Sequence, residues 1–272
     1  MASFSIILPA FNEEDGIASV LQSIRELQPE AEVIVVDDCS TDGTVMKVAP
    51  FGAIILRHQL NLGAGKSVKD GVERASFDRI IMMDSDGTYP VESIPTLLAE
   101  LDRGFNLVVG ARQGEEYSGR ILKRCARFVF RCLAEFATGK RIPDINSGMR
   151  AFRRSEILPY FPSLCNGFSL PTTMTLAYFF TGKKVQYVPI EYRKRFGHSK
   201  VRIIRDSLRT LQYMTESIAH YNPLKLFLLL ECLAMVCGLI TVHWIGSLGL
   251  ILGILFGFLI MAVGVGVESL RR

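Results

Sequence analysis

Three acidic groupings stand out in the first third of the chain. Glu13 and Glu14 follow Pro9-Ala10-Phe11-Asn12, Asp37 and Asp38 open the string DDCSTDGT, and Asp84 and Asp86 bracket Ser85. Carboxylates crowded at short range repel one another, and a cation or a hydroxyl-rich ligand relieves that repulsion. Asp84 and Asp86 lie two residues apart, so in an extended chain they project to one side, where both reach a single Mg²⁺ or Mn²⁺ directly or through water. Asp-Ser-Asp-Gly is also good turn chemistry, and the triplet alone does not separate the two readings.

Phosphate chemistry is the second theme. Gly65-Lys66-Ser67 lacks the glycine five residues upstream that a P-loop needs, since Leu60 stands there. Asn61-Leu62-Gly63-Ala64-Gly65 can still present amides, or Lys66 its charge, to a diphosphate at a helix start; an ordinary helix-start loop fits equally. Net charge is +4, yet residues 118–141 hold seven Lys/Arg against one Glu, and residues 193–209 hold seven against one Asp. The two basic segments suit phosphates or anionic lipid and sit on a body that is acidic on balance. With no zinc spacing, RNP-type aromatic cluster or helix-turn-helix signal, nucleic acid is not expected as a partner. Asp144 and Asn146 fit either a sugar contact or a turn.

The elements that must position these residues alternate. Apolar runs at Ser5 to Leu8, Val33 to Val36, Ala53 to Leu56, Ile80 to Met83 and Leu107 to Val109 read as strands. Helix-period segments fall at Ile17 to Leu27, Ser67 to Ala75 and Ile94 to Leu101. That rhythm predicts an α/β domain with a mostly parallel sheet, whose ligands bind beyond the carboxyl ends of the strands, where the acidic groupings lie. With 272 residues, 49% apolar and 21% charged, the chain is neither disordered nor long enough for more than one or two domains. Six cysteines without a C-x-x-C pair predict reduced thiols, and the N-terminus has no basic n-region, which places this end in the cytosol.

Over residues 120–136 an apolar face (Ile121, Cys125, Phe128, Val129, Cys132, Leu133, Phe136) opposes Arg120, Arg124, Arg127 and Arg131. This basic amphipathic helix fits the lipid interface, and it also fits ordinary packing on the sheet. Val201 to Ser217 is a second such segment. Ile245 to Val267 runs for 23 positions without a charge, enough to cross a hydrocarbon core, and Leu224 to Val242 is nearly as long but carries Lys225 and Glu231. Flanking Lys and Arg put both ends on the cytoplasmic side. Gly249, Gly253 and Gly257 on one span, with Ala234 and Gly238 on the other, suit a tight hairpin or contact between copies of the chain; glycine is also simply common in membrane helices.

LPAFNEE, VVDDCSTDGT, NLGAG, MMDSDGTYP and VVGAR, in this order and spacing, resemble the catalytic domain of glycosyltransferase family 2 with its Rossmann-like GT-A fold. DINSGMRAFRR, YRKRFGHSK and the terminal apolar pair resemble the polyprenyl-phosphate branch, which includes the dolichyl-phosphate mannose synthases. The resemblance implies a GT-A domain over residues 1–200, with 118–141 as an interface helix, a juxtamembrane helix over 201–222 and two transmembrane helices over 223–272. It assigns Pro9, Ala10, Asn12, Glu13 and one or both of Asp37 and Asp38 to the nucleoside of a UDP- or GDP-sugar. Asp84, Ser85 and Asp86, with Lys66, fall to the diphosphate, and Asp84 and Asp86 to Mg²⁺ or Mn²⁺. Arg195, Ser199 and Lys200 would clamp the phosphate of an undecaprenyl or dolichyl acceptor, with Arg112 and Arg124 as further phosphate-facing positions. Two departures stand out. Thr88 replaces the Gln or His frequent in relatives, and Lys66 is displaced by two positions. Trp244, inside the apolar pair, is the only tryptophan, so the Q-x-x-R-W element of processive synthases is missing.

Overall fold

The strand Ser5–Ala10 (β1) is buried on both faces apart from Pro9. A strand apolar on both sides is stable only inside a sheet with both faces covered. In the computed structural model, which describes residues 4–114, 121–197, 203–245 and 253–264, β1 lies inside a seven-stranded sheet. The other strands are Glu32–Asp37 (β2), Ile54–Arg57 (β3), Arg79–Met82 (β4), Leu107–Gln113 (β5), Arg150–Arg153 (β6) and Val185–Glu191 (β7), in the order β3-β2-β1-β4-β6-β5-β7. All run parallel except β6, which pairs antiparallel with both β4 and β5. This is the expected α/β sheet of GT-A type, with one reversed strand between the acidic half and the β5–β7 half.

Helix Ile17–Leu27 buries Ile17, Val20, Leu21 and Ile24, one stripe at helical spacing. Helix Ala64–Arg74 lies on β1 and β2. A Cβ at Gly71 would come within 2.5 Å of Ile7 Cγ2, so any side chain there forces the helix off the sheet. Helix Ile94–Asp102 covers the sheet through Ile94, Leu97, Leu98 and Leu101.

Helix Ile121–Thr138 packs against helix Leu170–Phe180 and buries Phe130, Ala134 and Ala137. Its other apolar face is left outside: Phe128 is 58% and Val129 54% exposed, and Cys125, Cys132 and Phe136 are exposed too. The alternative in which this face packs on the sheet is therefore not what the fold adopts. Leu208 and Leu211 on helix Ile203–Tyr221 are likewise exposed.

The chain divides into two compact units, Met1–Tyr213 and Met214–Arg272. In the second, Pro223–Ile240 is long and apolar enough to cross a membrane, the one such helix among the described residues. The apolar helix Gly253–Gly264 falls within the other expected span, whose first residue, Ile245, instead ends helix Pro223–Ile245. Gly249 and residues 246–252 and 265–267 lie outside the described residues. The two helices meet through small residues: a Cβ on Gly253 would lie 2.8 Å from Gly238 Cα and 3.1 Å from the Ala234 carbonyl oxygen, and one on Gly257 3.1 Å from Glu231 Cγ. Contact positions descend on one helix as they ascend on the other, so the pair is antiparallel, and Glu231 lies against the glycine stripe.

Candidate active site

The six parallel strands of the sheet end at one rim, and the turns after β1, β2 and β4 are tied to one another. After β1, Asn12 takes a left-handed backbone conformation (φ 53°), its N–H donates to Ser40 Oγ at 2.9 Å, and its Oδ1 accepts the Thr41 N–H at 2.8 Å. Cys39, after β2, is also left-handed (φ 66°). Positive φ in residues other than glycine is strain that surrounding contacts must hold, and it concentrates at ligand-binding rims. Pro9 and Ala10 form the end of β1. The Pro9 carbonyl accepts the Ser85 hydroxyl at 2.9 Å, so Ser85 joins β1 to the turn after β4.

Asp37 and Asp38 are both buried. Asp37 accepts the Ser40 N–H at 3.3 Å and faces Arg57 Nε at 3.3 Å. Asp38 accepts from the Leu62 and Gly63 amides at 2.7 and 2.8 Å. The Lys66 N–H goes to the Asn166 carbonyl at 2.8 Å, and the Lys66 ammonium pairs with Asp70. The Leu62, Gly63 and Lys66 amides are thus spent inside the protein, as in an ordinary helix-start loop.

At the centre, Asp86 is buried in a turn of its own making. Its Oδ1 accepts both the Thr88 N–H (3.0 Å) and the Thr88 hydroxyl (2.6 Å), which gives the unusual threonine a role, and its Oδ2 faces Arg195 at 3.2 Å. The Asp84 carboxyl lies against Gly148, where a Cβ would sit 2.8 Å from Oδ1 and 2.9 Å from Oδ2. Burial, and then the charge of Asp86, push the Asp84 carboxyl up to about 7. A buried carboxyl crowded by a second carboxylate is the condition a divalent cation relieves. The donor set fits Mg²⁺ or Mn²⁺ on that ground. Among the described residues no cluster of three His, Cys, Asp or Glu side chains could hold a metal, and a cation held by Asp84 and Asp86 would need further ligands such as substrate oxygens or water.

Arg195 spans the site. One terminal nitrogen meets Asp86, the other donates to Glu13 Oε1 at 2.7 Å, and its Nε–H is buried without a partner among the described residues. Burial works against its charge, but Asp86 and Glu13 more than offset this and raise its pKa. The segment around it is pinned to the Asp86 turn, with the Arg193 N–H on the Thr88 carbonyl and the Phe196 N–H on the Asp86 carbonyl.

Arg112, at the end of β5, is gripped by Asp144: Nε–Oδ2 is 2.7 Å and Nη2–Oδ1 2.9 Å, with the Tyr192 ring 5.3 Å from the guanidinium carbon. Asp144 also accepts the Asn146 N–H at 3.2 Å, so the turn reading holds for it as well. Arg124 is exposed on helix Ile121–Thr138 and makes no ion pair with this cluster among the described residues. Ser199 and Lys200 lie outside the described residues.

Three contributors were not singled out from sequence: Gly148, Tyr89 and Arg150. Tyr89 accepts the Gly148 N–H at 2.6 Å. Arg150, fully buried, donates to the Ser147 and Ile145 carbonyls and to Thr175 Oγ1, which fixes the loop that delivers Gly148 to Asp84. Burial pulls Arg150 down to about 10. Both Tyr89 and Gly148 belong to motifs visible in the chain, DGTYP and DINSGM, but only the reversed strand β6 brings them together.

Residues 5–158 match the family described as Glycosyl transferase family 2. Over 200 residues the chain is 32% identical to a dolichyl-phosphate hexose transferase of Haloferax volcanii, covering 72% of this chain and 86% of that one. Over 190 residues it is 30% identical to an undecaprenyl-phosphate 4-deoxy-4-formamido-L-arabinose transferase of Pseudomonas fluorescens, covering 62% of this chain and 55% of that one. The fold superposes on glucosyl-3-phosphoglycerate synthase from Mycobacterium tuberculosis, solved with Mn²⁺, UDP and glucosyl-3-phosphoglycerate, with TM-score 0.67, 22% identity and 80% of each chain covered. With the rim carboxylates and the GT-A sheet in place, the match over more than half its length shows that this chain belongs to glycosyltransferase family 2.

Proposed function

We propose that the protein transfers a sugar from a UDP- or GDP-sugar to a polyprenyl phosphate, undecaprenyl or dolichyl, at the cytoplasmic face of a membrane, with Mg²⁺ or Mn²⁺ and with inversion. The observation that carries this reading is Arg195, a cation held between Asp86 and Glu13 beside the rim carboxylates. Named relatives that act on undecaprenyl and dolichyl phosphates support the acceptor class.

In this reading Pro9, Ala10, Asn12, Glu13, Asp37 and Asp38 line the nucleoside, and Asp84 and Asp86 hold the cation beside the diphosphate. A bound divalent cation supplies charge neutralisation for the departing nucleoside diphosphate. Arg195 and Arg112, with Ser199 and Lys200, orient the acceptor phosphate. Such a phosphate carries about −1.5 to −2 charge at neutral pH and is already a nucleophile. Its oxygen bonds to the anomeric carbon as the bond to the diphosphate breaks on the opposite side. No general base is required. A hydroxyl acceptor would need a positioned base such as Asp144, which is instead committed to Arg112 at 2.7 Å.

The layout we propose is a catalytic part over residues 1–200, a juxtamembrane helix over 201–222 and a membrane hairpin over 223–272. The exposed apolar face around Phe128 and Val129, with Arg124 and Arg131 on the same helix, would rest on anionic lipid. The test is a screen of radiolabelled UDP- and GDP-sugars against undecaprenyl and dolichyl phosphate in membranes holding the full chain. Label in a lipid-phosphate product is the expected result; nucleotide binding without transfer to either acceptor would leave a binding protein instead.

A further inference from the structure

We infer that His58 is a positioning residue for the nucleotide donor, acting through Asp38. The inference deepens the reading above and rests on it, because it takes Asp38 as part of the nucleoside site. His58 follows β3, and its own N–H donates to the Asp37 carbonyl at 2.9 Å, which ties the residue to the end of β2. Its ring bridges two carboxylates: Nδ1 is 2.8 Å from Asp38 Oδ1 and Nε2 is 3.0 Å from Asp70 Oδ2. Each ring nitrogen therefore lies within hydrogen-bond distance of a carboxylate oxygen, and the ring is held between the two. Asp70 in turn pairs with Lys66 one helical turn away. The result is a polar chain, Lys66–Asp70–His58–Asp38, running from a partly exposed ammonium to a carboxylate that is 4% exposed at the rim.

The arrangement fixes which part of Asp38 is left for a ligand. Oδ1 meets His58 Nδ1 and the Leu62 amide, while among the described residues Oδ2 accepts the Gly63 amide alone. A carboxylate oxygen has two acceptor directions, so the remaining one is on Oδ2. His58 is the side chain that keeps the carboxylate turned this way and holds the Leu62–Gly63 loop against it. Without the ring, Asp38 loses its side-chain partner and is free to rotate toward the loop. A base or ribose donor then finds a reoriented acceptor, whereas Asp84, Asp86 and Arg195 are untouched.

The test is the affinity of the full chain for UDP and for GDP with Mn²⁺ present, alongside donor KM, acceptor KM and kcat. His58→Ala should weaken binding of the cognate nucleotide about tenfold, the loss expected when a buried carboxylate is deprived of a hydrogen-bond partner. Donor KM should rise in step while acceptor KM and saturated kcat stay within about twofold, a split that general destabilisation would not give. Asp70→Asn, at the partly exposed end of the chain, should raise donor KM in the same direction by a smaller factor, and it carries the test if His58→Ala does not fold. Unchanged nucleotide affinity in a folded His58→Ala, or unchanged donor KM in Asp70→Asn, overturns the inference while leaving the function standing. A wild-type protein that binds neither nucleotide overturns the reading beneath it.

Discussion

Replacing Gly148 with alanine tests whether the Asp84 carboxyl must sit where it does. The added methyl would lie 2.8 and 2.9 Å from the two Asp84 oxygens, whereas ordinary contact begins near 3.4 Å. Gly148 is not among the glycines with positive φ, so the backbone itself tolerates alanine. The strain therefore falls on Asp84, which must retreat by roughly half an ångström, about the tolerance within which a metal or catalytic constellation keeps its geometry. Misplacement by about 1 Å costs on the order of a hundredfold, so a loss of about tenfold in kcat/KM is expected, with a similar loss in Mn²⁺ affinity. Isothermal titration with Mn²⁺ in the presence of UDP or GDP, together with donor turnover, measures both, and circular dichroism checks the fold. A well-folded Gly148→Ala protein with full Mn²⁺ affinity and turnover would refute the placement of Asp84 as a metal ligand.

Other outcomes follow from the same geometry. Asp84, raised from 3.8 to about 7, binds more protons folded than unfolded between those values, so its contribution to stability is complete below about pH 4 and is lost as pH rises toward 7. Asp84→Asn should flatten that slope in thermal melts of metal-free protein, raise Tm at pH 8 and abolish transfer; a slope unaltered by the substitution would contradict the assignment. Asp144→Ala strands a guanidinium whose side chain is 13% exposed and should cost about 3–5 kcal/mol in denaturant unfolding, with Arg112→Met in the same chain restoring part of the loss. Phe128→Ser with Val129→Ser should raise KM for polyprenyl phosphate in anionic bilayers and leave donor KM unchanged, since both side chains are more than half exposed; equal acceptor KM values would remove this helix from the membrane surface.

Much of the sheet is legible in the chain because β1, β2, β4 and β5 hold buried runs of Ile, Val and Leu that no helix period explains, and β3 a half-buried one. The two strands that escape such a reading do so for physical reasons. β7 contains Pro189 and is mostly half-exposed, which only an edge strand tolerates. β6 is four residues, Arg-Ala-Phe-Arg, and begins with an arginine buried by tertiary hydrogen bonds that no local pattern announces. The site divides the same way. Asp84, Asp86 and Arg195 are recognisable from spacing and motif, and the fold brings Arg195 to Asp86. Lys66 reads as a phosphate contact from the chain, but its pairing with Asp70 depends on the helix start being covered by Asn166. The grip of Asp144 on Arg112 joins positions 32 apart and depends on β6 turning back beside β5.

The most direct measurement compares polyprenyl phosphate with the matching free polyprenol as acceptors for a radiolabelled UDP- or GDP-sugar, using the full chain and its Asp86→Ala variant in membranes with Mn²⁺. The account predicts label on the phosphate lipid alone, lost on chelation and lost in Asp86→Ala. Label on the free alcohol, or undiminished transfer by Asp86→Ala, would contradict it.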